Sequence, residues 1–165
     1  MNRSGYSDDY DSSDFSHVRH QGSLSRAING KRGQAFLIAL IAALDALPER
    51  VLIAQEFASN GCFCALGAVA NVRGIDPSNL DYDDYEALAK TFGIAESLAR
   101  DVMNTNDDVN DKRWIEMQIE NPSPGYPHYG RTTTSVRVPD ELAPQKRWQY
   151  VRDWAQAKLI KEAQS

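Results

Sequence analysis

Apolar positions recur at helical spacing along most of this chain. From Gln34 to Leu47 the residues are apolar almost all round, with Phe36, Leu37, Leu40, Ile41, Leu44 and Leu47. Such a helix belongs at the centre of a core rather than at its surface, and Pro48 is expected to end it. A weaker helical pattern precedes it from Phe15 to Ile28, interrupted by Gly22, which costs about 1 kcal/mol relative to alanine in a helix interior. Asn29 to Gly33 reads as a turn between the two, with two glycines able to take positive φ. Val51 to Phe57 is a candidate strand. Asn60-Gly61 then suits a tight hairpin turn, and Cys62 to Cys64 forms the short return strand.

Further helices are predicted over Ala65 to Arg73, stopped by Gly74, and over Tyr82 to Phe92 and Ala95 to Met103, joined by Gly93-Ile94. Arg113 to Ile119 reads as a short helix. Residues 121–138 hold three prolines and two glycines and read as a long loop, with Thr132 to Thr134 as a short extended piece. The last helix runs from Pro144 to Ala163, with proline in the first turn, where its missing N–H costs nothing. Trp148, Val151, Ala155 and Leu159 form its apolar stripe. Residues 1–14 show no apolar period and read as a disordered tail. The expected fold is therefore mainly α: a compact multi-helix single domain over residues 15–163, with a helix-turn-helix-like pair and one minor β-hairpin.

The helix-turn-helix-like pair lies at Leu88 to Val102. Ala89 is small where two helices would cross, Gly93 takes the turn, and Ile94, Ala99 and Val102 fill the shared core. Base-reading residues there would be Lys90, Ser97 and Arg100. The same helix also presents Glu96 and Asp101, and the chain carries a formal charge of −5. That balance disfavours a nucleic-acid partner, so DNA binding is the alternative reading and not the first.

Cys62 and Cys64 are the only cysteines, one residue apart. The spacing suits neither an internal disulfide nor a zinc site, and it points to reduced thiols in a cytoplasmic protein. Cys64, just ahead of a helix, is the one candidate nucleophile; buried, inert packing is the stronger reading for it. His128 is the base such chemistry would call on. Asp107, Asp108 and Asp111 lack the glycine and glutamate of a calcium loop. The longest apolar run, Ala35 to Leu44, spans ten residues, half of what a membrane-crossing helix needs at about 20, and the N-terminus carries no secretory signal. No cofactor, metal or membrane is expected. Lys31 and Arg32 form the most concentrated basic spot. With Tyr126 and Tyr129 of the aromatic-rich C-terminal third, they are the candidate residues for binding a protein partner.

Three stretches together carry a resemblance: Gly30-Lys31-Arg32-Gly33-Gln34-Ala35-Phe36-Leu37, Cys64-Ala65-Leu66-Gly67-Ala68-Val69 with Arg73-Gly74-Ile75-Asp76, and Arg147-Trp148 with Arg152 and Trp154. Over residues 24–160 the chain resembles a group of small uncharacterised proteins carried by phages and prophages of proteobacteria, relative to which residues 121–138 look like an insertion. The resemblance implies a context, an accessory protein in a bacterial cytoplasm, and no catalytic residue or ligand. The expected function is non-enzymatic binding of a host or phage protein. A DNA-binding regulator is the alternative, and a thiol enzyme centred on Cys64 ranks last.

Overall fold

The helix that follows Gly30 is the element around which the others are arranged. In the computed structural model, which describes residues 13–121 and 130–160, α1 is Ser13–Asn29 and α2 is Lys31–Asp45. Phe36, Leu37, Leu40 and Leu44 of α2 are buried and α2 packs against α1, α3 (Ala65–Arg73) and α6 (Ala143–Lys158). α6 delivers Trp148, Val151 and Ala155 to this core, and the Trp148 indole N–H donates to the Leu44 carbonyl at 3.0 Å. The fourth side of α2 faces out: Ala35, Ile38 and Ala42 are exposed and Ala39 is half-buried. The expectation of a helix wrapped all round is corrected to one covered on three sides.

Gly33 lies inside α2 and takes no positive φ, contrary to its reading as a turn residue. Its role is close approach: a Cβ there would stand 1.9 Å from the Ala27 carbonyl oxygen of α1. Gly22 leaves α1 unbroken, because the backbone hydrogen bonds run through it on an exposed face.

Between α2 and α3, Asn60 and Gly61 both adopt positive φ, 51° and 80°, the geometry a two-residue hairpin demands. The hairpin is only β1 (Ala58–Ser59) paired with β2 (Cys62–Phe63). The strand expected over Val51 to Phe57 does not form. Gln55 sits at φ 61°, which breaks the extended run. Its neighbours bond elsewhere: Leu52 N–H donates to Pro144 O and Ile53 N–H to Phe63 O.

A 3-10 turn at Pro77–Asn79 leads to α4 (Tyr85–Phe92) and α5 (Glu96–Asp107). Gly93 closes α4 at φ 71°, and Ile94 N–H donates back to Ala89 O. Ala89, Ile94, Ala99 and Val102 are all buried, as the helix-turn-helix-like spacing requires. α5 is a central helix, packed against α1, α3, α4 and α6.

The helix expected over Arg113 to Ile119 is corrected to strand; of the loop expected over 121–138, residues 122–129 lie outside the described residues, and the extended piece foreseen at Thr132 to Thr134 widens to a full strand. Lys112–Asn121 is strand β3 and Gly130–Pro139 is strand β4, paired antiparallel over ten residues each. Ile115, Met117 and Ile119 alternate with Glu116 and Gln118, a period of two that belongs to a strand. β-Branched residues crowd β4, where strand propensity is high. The disordered tail expected at 1–14 lies outside the described residues up to position 12; Ser13 and Asp14 open α1. The last helix ends at Lys158 rather than Ala163, which lies outside the described residues.

Candidate functional site

The β3–β4 ribbon separates its side chains by face. Directly paired residues share a face, so Ile115 with Val136, Arg113 with Val138, and Met117 with Thr134 make one side. The other side carries Trp114 with Arg137, Glu116 with Ser135, and Gln118 with Thr133. The first side is apolar and open to solvent: Met117 is 45 % exposed, Ile119 47 % and Val136 36 %. On the polar side Trp114 is 65 % exposed, and the Arg137 guanidinium lies 5.4 Å from its ring centroid. Neither strand packs extensively against any described helix. A two-stranded ribbon alone is marginally stable in water, so this apolar face gains from being covered.

The ribbon is anchored at its base. Asp140 N–H donates to Asp111 O at 2.8 Å, and Lys112 N–H to the Asn110 side chain. Arg147 of α6, 1 % exposed, is the hub. Its Nε donates to Asn106 O, one terminal nitrogen to Leu52 O, and the other to Val109 O and to Asp111 Oδ1 at 2.6 Å. One guanidinium therefore ties together the end of α5, the loop after α2 and the first residue before β3. Lys146 bonds Asp140 at 2.6 Å and holds its carboxyl below the usual range.

Lys31 and Arg32 are exposed at the start of α2; Tyr126 and Tyr129 lie outside the described residues. Of the three nucleic-acid candidates, Ser97 and Arg100 are half-buried and Lys90 is exposed. Lys90 pairs with Glu86 at 2.7 Å, which raises its pKa. Arg100 pairs with Glu96 at 2.9 Å and lies over the Tyr85 ring at 4.9 Å. Ser97 Oγ meets Ser23 Oγ of α1 at 3.5 Å. α1 lies against the face of α5 that a recognition helix would turn to a groove, so Ser97, Arg100 and Asp101 are half-buried rather than displayed. Burial pushes the Asp101 carboxyl pKa up against the opposing pull of Lys158 and His20.

Cys64 is fully buried. It serves as the N-cap of α3, its sulfur accepting from Gly67 N–H at 3.3 Å. Desolvation pushes the thiol up to about 12, outweighing the backbone bonds that lower it. That is the opposite of an activated nucleophile, and His128 lies outside the described residues. Asp107, once weighed as a calcium ligand, accepts from Tyr82 Oη at 2.8 Å and from the Asn106 and Gln55 nitrogens. Asn106 is itself buried, caps the start of α3 through Ala65 N–H, and donates to Ile53 O. This buried polar group is structural mortar between α5, α3 and the β1 approach. Among the described residues no group of three or more His, Cys, Asp or Glu could hold a metal ion, and no helix is long and apolar enough to cross a membrane.

Sequence reasoning missed the ribbon residues Trp114, Met117, Ile119 and Val136. The signal was the strict alternation from Ile115 to Ile119, followed further on by a Thr- and Val-rich stretch. No protein-family model, no curated protein and no solved structure matches this chain, so the fold and the ribbon stand on their own geometry.

Proposed function

We propose that this chain is a non-enzymatic protein-interaction module whose working surface is the β3–β4 ribbon. The observation that carries the reading is the apolar face on which Met117, Ile119 and Val136 are exposed beside half-buried Ile115 and Val138, on a ribbon fixed to the helical body through Arg147. A buried Cys64 weighs against the thiol-enzyme alternative, and the half-burial of Ser97 and Arg100 against the DNA-binding one. In this reading the module is an accessory protein acting in a bacterial cytoplasm, the context that the resemblance to phage- and prophage-borne proteins implies.

In-cell photocrosslinking tests this. Benzoylphenylalanine in place of Met117 is expected to give discrete adducts, and in place of Gln118, on the opposite face, far weaker ones. Equal adducts from both positions, or none from either, would refute the ribbon face as the working surface.

A further inference from the structure

α1 is held unevenly along its length. Its last turn is locked to the body. Ile28 is buried, the Ala27 carbonyl lies so close to Gly33 of α2 that no Cβ fits between them, and Gln34 Nε2 donates to Ile28 O at 2.8 Å. Upstream of Leu24 the grip is slight. From Val18 to Ser23 no side chain is fully buried and only His20 is half-buried; Val18 is 65 % exposed. Among the described residues one side-chain hydrogen bond joins this part to α5, Ser23 Oγ to Ser97 Oγ at 3.5 Å, longer than a well-made hydroxyl pair. Between the two parts stands Gly22, exposed and with open space where a Cβ would be. Glycine is the residue least suited to a helix interior after proline.

The contact with α5 is also loosely filled. A groove of about 220 Å³ separates His20 and Ser23 from Ala95, Ser97 and Arg100, and another of about 250 Å³ lies beside Gln21, Leu24 and Lys158. Each has room for several waters, so little dispersion energy holds this part of α1 down. Asp101 of α5 is half-buried, with His20 and Lys158 near it, and burial raises its carboxyl pKa. Withdrawing α1 returns that carboxylate to water. α5 does not depend on the contact, since α3, α4 and α6 also pack against it.

We propose that Ser13–Gly22 is a releasable strap that lifts from α5 as a unit, hinged at Gly22, and bares the surface of Ser97, Arg100 and Asp101 while Ile28 stays docked. A segment this short does not stay helical by itself, since isolated helices below about 12–15 residues are marginal in water. Release and melting therefore go together. The surface it uncovers is the one that the α4–α5 pair would turn outward, so the strap sets whether that surface is free to meet a partner. The ribbon takes no part in this device.

Amide exchange of the full chain, followed residue by residue by NMR, tests the strap. The amides of Val18 to Gly22 are expected to share one opening and to exchange at least about a hundredfold faster than those of Ala99 to Met103 in α5, with a step in protection between Gly22 and Ile28. Gly22→Ala is expected to slow them all by one common factor of about fivefold, the helix preference of alanine over glycine. In a Cys62→Ser background, alkylation of Ser97→Cys is expected to slow by that same factor when Gly22→Ala is added. Protection that declines smoothly towards the start of α1, with no step, is ordinary fraying and would overturn the strap. So would protection at Val18 to Gly22 equal to that of α5, or alkylation of Ser97→Cys indifferent to Gly22→Ala.

Discussion

Replacing Arg147 with methionine should be among the most damaging single changes in this chain. The side chain is 1 % exposed and donates to three main-chain carbonyls, those of Leu52, Asn106 and Val109, as well as to Asp111. Methionine keeps most of the volume and removes every donor. Each carbonyl left without a partner costs about 1–3 kcal/mol. Removing a buried cation returns part of that, because its desolvation is no longer required. The net loss is about 4 kcal/mol, within the range for breaking a buried ionic hydrogen-bond set. For a domain of this size that lowers Tm by about 8–16 °C. Urea titration followed by tryptophan fluorescence and circular dichroism measures it. Asp111→Asn is the graded comparison: Asp111 is 64 % exposed and asparagine keeps an accepting oxygen for the guanidinium, so this change should cost less than the loss of all four acceptors' donor. An Arg147→Met protein within about 1 kcal/mol of wild type would refute the assignment of Arg147 as the hub.

Further outcomes follow from the packing of the helices. Gly67→Ala places a Cβ 1.9 Å from the Phe57 carbonyl oxygen and should cost about 3 kcal/mol or more by forcing α3 off the β1 approach; Gly22→Ala, with nothing within 4 Å, should stabilise by up to about 1 kcal/mol in thermal melts. Stability should fall as pH rises from about 9 towards 12, by about 1.4 kcal/mol per unit, because the unfolded thiol of Cys64 ionises near 8.5 while the buried one stays protonated. Burial also raises Tyr82 and adds to the slope above about pH 10, so Cys64→Ala should flatten the urea-derived stability profile chiefly between about 8.5 and 10.

The helical framework was written in the local pattern of the chain. The unbroken apolar content of α2 marked it as a helix of the core, and the stripe Trp148, Val151 and Ala155 and the Ala89, Gly93, Ile94, Ala99 spacing each specify which side of a helix is buried, because a period of 3.6 leaves little freedom. Asn60-Gly61 likewise named its turn, since few other dipeptides accept positive φ twice.

What the pattern could not supply was long-range. Arg147 looks like an ordinary helical arginine; only carbonyls from positions 52, 106 and 109, brought together by folding, make its burial favourable. Gly33 and Gly67 read as turn or packing residues of no special kind, and the 1.9 Å approaches that demand them come from chain segments crossing in space. α5 carries the spacing of a displayed helix, yet α1 lies on it. Strand β3 has no stability apart from β4, whose pairing closes across an intervening stretch full of proline and glycine. Local sequence determined where most of the helices would lie. Tertiary structure alone decided which polar groups could be buried, which helix faces were left uncovered, and that β3 and β4 would stand out as a ribbon, because each of these depends on partners elsewhere in the chain.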